Sequence, residues 1–492
     1  MYDGHITMTD DLIQAENAVS TKIQREAQPL FATRLKVYPR AVRGLYRRIK
    51  WAVLGMCLAV YYLVPFVRWD RGPSLPDQAV LIDLPNRRAY FLWIEIWPQE
   101  VYYLTGLLIM AAFALFLATS LLGRVWCGYA CPQTVWTDLF MAVERLIEGD
   151  RNARMRIDKQ AWHAGKIGKK LLKHTVWLLI ALVTGGAWIM YFQDAPRALA
   201  ELFSGEASTT IYFFVGLFTA TTYVLAGWAR EQVCTYMCPW PRFQAAMLDE
   251  NSLVVSYRAW RGEQRGKHKK GESWQGRGDC VDCNSCVAVC PTGIDIRDGQ
   301  QLECIACGLC IDACDEIMDK VGRPRRLIGF DTLANLAAQA QGKRARVRLI
   351  RPRTMIYAAL LTVVAAIMAG AMLTRSTLEL SILRDRSPLF VQLSDGEIQN
   401  AYTLKVLNKT HEAVRYAISI ENLANAQIAI VGDETHSGTI AVGTDSVGTF
   451  RVLVRAPRGS ITRHSVAVHL RLVSLDAKQS VSTATVFLGP EP

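Results

Sequence analysis

Eight of the thirteen cysteines occur as two copies of one spacing. The copies are Cys280-x2-Cys283-x2-Cys286-x3-Cys290 and Cys304-x2-Cys307-x2-Cys310-x3-Cys314. This spacing is typical of bacterial proteins with two [4Fe-4S] clusters, in which each cluster takes three cysteines from one copy and the fourth from the other. We therefore predict one cluster held by Cys280, Cys283, Cys286 and Cys314, and a second held by Cys304, Cys307, Cys310 and Cys290.

A zinc site is the main alternative, because four-cysteine zinc sites also use short spacings. Two complete four-cysteine runs favour iron–sulfur clusters. The first run ends in Cys290-Pro291, whereas Asp315 follows Cys314. The turn after Cys314 is therefore expected to be less constrained than the turn after Cys290.

Four more cysteines form two C-x3-C-P pairs: Cys127 and Cys131 before Pro132, and Cys234 and Cys238 before Pro239. Residues four apart share a face of a helix, so each pair can direct two sulfurs to one metal ion or to one another. The proline favours a bend, or the start of a new helix, after each pair.

Both pairs follow an apolar stretch, and this repetition predicts that they meet in a four-thiolate pocket near the membrane surface. Soft sulfur ligands select Cu(I) over harder ions. Small structural residues or a redox-active disulfide are the alternatives for these four cysteines. Cys57, alone in an apolar stretch, is interpreted as a packing residue.

Five apolar stretches have the length needed to cross a bilayer, about 20 helical residues. They are residues 51–67, 101–122, 175–192, 210–229 and 355–373. Residues 1–30 are polar, so no cleavable signal peptide is predicted and the first span is expected to direct insertion. A composition of 51% hydrophobic and 20% charged residues fits a chain that lies only partly in the membrane. The lipid bilayer is therefore a predicted partner.

Lysine and arginine are dense in residues 1–50, 124–173 and 344–353 and sparse in the loops after the first and third spans. The positive-inside rule then predicts a multi-pass protein of the bacterial inner membrane. Its N-terminus and residues 231–353 are expected in the cytoplasm, and everything after Leu373 in the periplasm. Anchoring to anionic headgroups accounts for the net charge of +12, so no nucleic-acid partner is predicted.

Composition also excludes two functional classes. Of eight histidines only His174 lies at the edge of a span, which argues against a bis-histidine haem. The spans are nearly free of ionisable groups, which argues against a proton pump. No cysteine follows Cys314, so an extracellular disulfide framework is not expected.

Beyond Arg375 the pattern changes to alternating runs of the kind that form antiparallel strands. The runs are residues 402–407, 416–420, 427–431, 449–454, 465–473 and 481–487. They fit an immunoglobulin-like sandwich without a disulfide. Four histidines in this region are interpreted as scattered surface or strand residues rather than copper ligands: His411, His436, His464 and His469.

The predicted fold is multi-domain, with an α-helical membrane bundle, a ferredoxin-like insert and an all-β C-terminal domain. Segment 258–277 is rich in Gly and Lys without an apolar period, and is interpreted as a mobile or surface-lying linker. The predicted boundaries are 1–50 for a cytoplasmic N-terminal segment, 51–257 for four spans with both C-x3-C-P pairs, 258–353 for the two-cluster domain with its linkers, 354–374 for the fifth span, and 375–492 for the immunoglobulin-like domain.

Over nearly its whole length the chain resembles the FixG, RdxA or CcoG cytochrome oxidase accessory proteins. The resemblance rests on the five spans, the double ferredoxin run, the immunoglobulin-like tail and two motifs, residues 126–134 (WCGYACPQT) and residues 234–239 (CTYMCP). More distant membrane ferredoxins of quinol-oxidising systems share the spans, the paired cysteines and the clusters but lack this tail.

The resemblance implies a cupric reductase that reduces Cu(II) to Cu(I) for assembly of the cbb3-type cytochrome c oxidase. Electrons from an unknown cytoplasmic donor would enter at the clusters, and copper would be reduced at or near Cys127, Cys131, Cys234 and Cys238. Copper-delivery and oxidase assembly proteins are the implied partners.

Two other functions stay open on the residues alone. One is a quinol-oxidising electron relay to a periplasmic reductase, which quinol-dependent cluster reduction would reveal. The other is a redox-sensing docking protein without turnover.

Overall fold

The structure is a computed structural model, and it describes residues 36–72, 75–269, 271–344, 346–432, 438–461, 463–476 and 479–490. The chain divides into two compact units between Ala366 and Ile367. Most of the predicted N-terminal segment, residues 1–35, lies outside the described residues, and so does His436.

Within the described residues, five helices are long and apolar enough to cross a membrane. The first to fifth apolar helices are Leu45–Phe66, Pro98–Leu122, Ala164–Ile189, Thr209–Ala229 and Pro352–Leu373. They correspond to the five predicted stretches. The third begins well before the predicted residue 175, because its first turns carry lysines that hydropathy excludes but that find acidic partners in the fold: Lys170 and Lys173 both pair with Glu148.

Shorter helices follow the apolar helices at the ends where the paired cysteines lie. They are Val125–Tyr129, Pro132–Glu148, Arg151–Lys159 and Trp240–Met247. The fourth apolar helix changes from α-helix to a wider π-helical turn at Tyr223–Ala229, and a second π-helical turn follows at Val233–Met237. Near the opposite ends lie a helix, Ala195–Ser204, and a sheet of three antiparallel strands, β1 (Val80–Asp83), β2 (Arg88–Phe91) and β3 (Ile94–Ile96).

The insert between the fourth and fifth apolar helices folds around its cysteines. Two strands, β4 (Val254–Tyr257) and β5 (Ile328–Asp331), pair antiparallel and bring the two ends of the insert together. Between them lie the short helix Ser285–Val289 and the helix Leu309–Lys320. The buried core joins the strands to both cysteine runs, so the insert folds as one body around them.

The C-terminal unit consists of two antiparallel sheets. One has the strand order β10-β12-β8-β6, with β7 beside β8, and the other has the order β11-β9-β13-β14. The strands are β6 (Leu378–Arg384), β7 (Val391–Gln392), β8 (Ile398–Asn408), β9 (Val414–Glu421), β10 (Gln427–Ile430), β11 (Thr439–Val442), β12 (Ser446–Ala456), β13 (Ser465–Ser474) and β14 (Ser480–Leu488).

A single buried core is shared by both sheets, with Leu404 and Val452 from one and Tyr416 and Leu470 from the other. All six predicted strands are confirmed, and β6, β7 and β11 were not predicted. β7 spans only two residues, too few for an alternating pattern to stand out.

Candidate functional site

The two cysteine runs of the insert adopt the same backbone pattern. In the first, Asp282 and Asn284 have φ of 50° and 54°; in the second, Ala306 and Gly308 have φ of 54° and 73°. These four residues occupy matching places on either side of the middle cysteine of each C-x2-C-x2-C. Residues with positive φ among residues with negative φ turn successive N–H groups toward one side, which is the backbone arrangement of many iron–sulfur sites.

Each run helps to line one cavity. The outer cavity is lined by Cys280, Cys283, Cys286 and Cys314. The inner cavity is lined by Cys290, Cys304, Cys307 and Cys310, and also by Cys286. The structure thus brings together the two predicted sets of four, each with its fourth cysteine from the other run. Four thiols around a cavity with an inward-curled loop fit a [4Fe-4S] cluster in each place.

Burial makes these thiols poor acids on their own. It raises the pKa of Cys286 to about 11 and the pKa of Cys304 and Cys314 to about 12. A thiolate is therefore favoured only when a positive charge, such as iron, offsets the loss of solvation.

The chain after the two runs differs from the prediction. The helix Ser285–Val289 ends at Cys290, which is itself extended (φ −66°, ψ 124°), as expected for the residue before Pro291. After Cys314 there is no turn of any kind, because the helix Leu309–Lys320 continues through it. The expected loosely constrained turn at Asp315 is wrong; without a proline, the helix is not interrupted.

The two C-x3-C-P pairs meet. Cys127, Cys131, Cys234 and Cys238 all line one cavity, here called the four-cysteine cavity. Its remaining wall is largely apolar and includes Leu115, Trp126, Val233, Trp240 and Ile305. Burial raises the pKa of the Cys127 thiol to about 11, despite the nearby Arg124, and that of Cys234 to about 12.

The pairs are not arranged as two residues on one helical face, as the spacing suggested. Cys127 lies in the helix Val125–Tyr129, but Cys131 is extended (φ −60°, ψ 128°) and precedes the helix Pro132–Glu148. Cys234 lies in a π-helical turn, and Cys238 is again extended (φ −83°, ψ 121°). The following proline disfavours the helical conformation for the residue before it, so each pair straddles a bend.

The first pair is packed directly against the insert. A Cβ atom on Gly128 would lie 2.6 Å from the carbonyl oxygen of Ile305, so only glycine allows this approach. The Tyr129 hydroxyl donates a 2.9 Å hydrogen bond to the carbonyl oxygen of Cys307. Cys127 itself shares a buried apolar cluster with Ile305 and Cys307.

Ile305 separates two of the cavities. It lines both the inner cavity and the four-cysteine cavity. Cys286 in turn lines both the inner and the outer cavity. The three cavities therefore form a series, outer, inner and four-cysteine, in which each neighbouring pair shares a lining residue.

Two residues at this site were not identified from the sequence. Buried Gln244 accepts hydrogen bonds through Oε1 from the Cys127 thiol, at 3.0 Å, and from Arg124 Nε, at 3.3 Å. Arg124 also donates to the carbonyl oxygen of Leu302 in the insert. Gln244 has no motif around it; only the fold places it beside a cysteine 117 positions earlier in the chain.

A buried cluster of charges joins the segments on which the pairs lie. The Glu144 carboxylate pairs with Arg230 at 2.9 Å, Arg154 at 3.0 Å and Lys173 at 3.5 Å. Burial opposes the ionisation of Glu144, but these cations outweigh it and hold its pKa down at about 2. Several basic residues assigned to headgroup anchoring are therefore engaged inside the protein instead.

Segment 258–277 lies on the surface of the insert, one of the two predicted alternatives, but it is more than a tether. Gly266 N donates to the carbonyl oxygen of Cys280 at 3.0 Å, and Arg261 pairs with buried Asp279 at 2.7 Å. The segment therefore forms part of the surroundings of the outer cavity.

Family models match three parts of the chain. A 4Fe-4S dicluster domain matches residues 229–333, and a 4Fe-4S binding domain matches residues 104–152. The IG-like fold at the C-terminal of FixG matches residues 368–490. With the five apolar helices and the thiol-lined cavities, these matches define a membrane iron–sulfur protein of electron transfer, with a C-terminal immunoglobulin-like domain.

Three curated relatives match most of the chain. The nitrogen fixation protein FixG of Rhizobium meliloti is 50% identical, over 92% of this chain and 93% of its own. Protein RdxB of Cereibacter sphaeroides is 50% identical over 95% and 99%, and protein RdxA of the same organism is 49% identical over 92% and 96%. The chain belongs to the FixG/RdxA/RdxB family.

Proposed function

We propose that this protein reduces Cu(II) to Cu(I) at the four-cysteine cavity, with electrons supplied through the insert, for assembly of a cbb3-type cytochrome c oxidase. The observation that carries the proposal is the position of the four-cysteine cavity, which shares Ile305 with the inner cavity. Under this proposal the copper substrate is bound beside the site of an electron carrier.

Under this proposal the cluster ligands are Cys280, Cys283, Cys286 and Cys314 in the outer cavity, and Cys290, Cys304, Cys307 and Cys310 in the inner cavity. Bound clusters supply one-electron oxidation and reduction. The electron transfer itself breaks no covalent bond, since one electron from a reduced cluster converts one Cu(II) to one Cu(I). The cavity thiols release their protons to solvent when they bind copper as thiolates.

The residues of the four-cysteine cavity have distinct roles in this proposal. The thiol groups of Cys127, Cys131, Cys234 and Cys238 bind the copper substrate, and sulfur ligands favour the Cu(I) product over Cu(II). Gln244 and Arg124 are positioning residues, because they act on Cys127 and on the Leu302 backbone.

We also place the insert and the four-cysteine cavity on the cytoplasmic side of a bacterial inner membrane, and the C-terminal domain in the periplasm. The distribution of Lys and Arg supports this orientation. A contact between the first apolar helix and the insert further supports it. The backbone N–H of Arg47, near the start of that helix, donates to Asp312 of the insert at 2.8 Å, and both residues are predicted to be cytoplasmic. Copper-delivery and oxidase assembly proteins are the partners expected there.

The test is a single-turnover measurement. Purified protein is reduced with dithionite, freed of excess reductant and mixed anaerobically with Cu(II), and cluster reoxidation and chelated Cu(I) are followed together. We expect a variant with all four cavity cysteines changed to Ser to be slower by about 100-fold or more. Cys57→Ser is the matched control: Cys57 lies within the first apolar helix, Leu45–Phe66, so this substitution should leave the rate unchanged. Equal rates for wild type and the four-cysteine variant would show that copper is reduced elsewhere.

A quinol-oxidising relay is the second candidate, and the apolar wall of the four-cysteine cavity favours it. Leu115, Trp126 and Trp240 offer flat and aliphatic surface of the kind that a quinol ring contacts. Reduction of the oxidised protein by a short-chain quinol, lost in Trp126→Ala and Trp240→Ala but kept in the four-cysteine variant, would favour this function over copper reduction.

A further inference from the structure

The insert carries a basic surface at the outer cavity, formed by two segments that are distant in sequence. Residues 258–277 and 323–326 together contribute nine described Lys and Arg residues. Six of them, all arginines, form ion pairs with Glu263, Glu272, Asp279, Asp298, Asp319 or Asp331, so the surplus positive charge of this surface comes from exposed Lys267, Lys269 and Arg326. The basic residues are Arg258, Arg261, Arg265, Lys267, Lys269, Arg277, Arg323, Arg325 and Arg326.

Hydrogen bonds from arginine side chains to backbone carbonyl oxygens join the two segments. Arg258 donates to the carbonyl oxygen of Arg326 at 2.6 Å, and Arg261 to that of Arg325 at 3.0 Å. Arg323 pairs with Asp279, the residue before Cys280, and its guanidinium lies 4.9 Å from the ring centre of Trp274. The two segments therefore form one surface that borders the first cysteine of the outer cavity.

The outer cavity is also where a ligand cysteine reaches the solvent. Of the eight cysteines in the two runs, Cys283 alone is exposed, and the others are buried or half-buried. The outer cavity is at the far end of the cavity series from the four-cysteine cavity. A redox partner that contacts this end would have the shortest path to the series from the aqueous side.

We propose that this surface, here called the basic docking surface, binds an acidic protein that carries one electron at a time on a flavin or iron–sulfur group. The proposal rests on the proposed electron transfer through the insert. In each encounter the reduced partner loses one electron and the outer site of this chain gains it. Opposite charges steer such encounters and raise association rates by about 10-fold or more at low salt.

Anionic lipid is the other ligand class that basic residues attract. The chain has a separate basic segment for that purpose, because exposed Arg344, Arg346 and Arg348 lie just before the fifth apolar helix. The basic docking surface adjoins the outer cavity, whereas the four-cysteine cavity adjoins the ends of the second and fourth apolar helices. This arrangement favours a soluble acidic partner.

The test measures binding rather than turnover. The probe is an oxidised acidic [2Fe-2S] ferredoxin, titrated into the full-length protein in detergent at low and high salt. We expect the double variant K267E/K269E to raise Kd about 10-fold at low salt, and the difference to vanish at high salt. Both lysines are exposed, and unchanged cluster absorbance verifies that the insert is intact.

The matched control is R344E/R348E, which changes the net charge by the same amount and should keep Kd within about twofold of wild type. An equal rise in Kd in both double variants would show that only net charge matters, and would overturn the proposal. An unchanged Kd in both would overturn it as well. A third overturning result is wild-type binding that is lost in nanodiscs of anionic lipid but kept in neutral ones, because the surface would then lie on the membrane. The dithionite-reduced K267E/K269E variant should reduce copper at the wild-type rate, because it no longer needs the partner. Failure of the copper chemistry would appear in that rate, and failure of the docking proposal in the Kd.

Discussion

The two C-x3-C-P segments are nearly the same in sequence, yet the fold treats them differently. In the first, Cys127-Gly-Tyr-Ala-Cys131, the middle tyrosine is only 8% exposed and bonds to the insert. In the second, Cys234-Thr-Tyr-Met-Cys238, the equivalent Tyr236 is 79% exposed and Met237 is 62% exposed. The first segment therefore packs against the insert, whereas the middle of the second is exposed, although both line the same cavity.

The backbone shows the same asymmetry. The second segment follows Arg230, whose φ of 43° is rare for a residue with a side chain, and it continues as a π-helical turn. Irregular helices of this kind are frequent at functional sites. If the proposed copper reduction is correct, the first segment would be the side that receives electrons and the second the side open to copper.

The largest expected effect comes from removing the charge that connects the two segments. Glu144 lies on the helix after the first pair and holds Arg230 at the start of the second. Glu144→Gln would leave Arg230, Arg154 and Lys173 buried with a weakened partner, at a cost of about 3–5 kcal/mol. We expect a much lower melting temperature in detergent. Exposed Glu206→Gln is the control, and equal melting of the two variants would contradict the role of Glu144.

The same carboxylate predicts how stability depends on pH. The pKa of Glu144 is about 2 in the folded protein, below its ordinary value, so its contribution is full above the unfolded pKa and is lost as pH falls toward 2. The melting temperature of wild type should therefore fall between about pH 4.5 and pH 2. Glu144→Gln lacks this part of the acid sensitivity, and an unchanged slope in that variant would assign the effect to other groups.

Exchanging the residues after the first cysteine of each pair tests the asymmetry directly. Gly128→Thr places a side chain against the Ile305 carbonyl group and should separate the first pair from the insert, slowing copper-driven reoxidation by about 100-fold. Thr235→Gly at the equivalent position of the second pair should stay within about twofold, since Gly loses mainly helix propensity there. Similar losses in both variants would mean that the two segments are equivalent.

Gln244→Leu should have a smaller effect, because it removes one acceptor shared by the Cys127 thiol and Arg124. An unsatisfied buried donor costs about 1–3 kcal/mol. We expect a lower melting temperature together with slower reoxidation. Gln244→Glu keeps an acceptor for Arg124 and should recover most of the stability; if it does not, the hydrogen bond from Arg124 is not what Gln244 provides.

The smallest effect concerns the two equivalent tyrosines. Tyr129→Phe loses the hydrogen bond to Cys307 and should cost about 1 kcal/mol, whereas Tyr236→Phe should be neutral. Melting curves of the two single variants, measured side by side, decide the point. Equal stability would show that the hydroxyl of Tyr129 contributes nothing to holding the first segment on the insert.

Much of the molecule was predictable because its signals are local. Five apolar stretches and six alternating runs identified the apolar helices and most of the C-terminal strands. Where a local signal was too short, as for β7, the prediction missed an element. Where it was mixed, as at the lysine-bearing start of the third apolar helix, the prediction shortened the element. The identity of the family followed from motifs that can be read without any structure.

The sequence by itself determined the chemistry that is possible: the cysteine spacings specify iron–sulfur binding, and the repeated C-x3-C-P pairs specify a second group of thiols. Only the tertiary structure decided that these sites form a series through Cys286 and Ile305, and that the first segment packs against the insert while Tyr236 and Met237 of the second are exposed. Gly128, Gln244 and Arg124 gain their roles from neighbours more than a hundred positions away. No spacing in the sequence encodes such contacts, because they result from packing the whole chain around its buried groups.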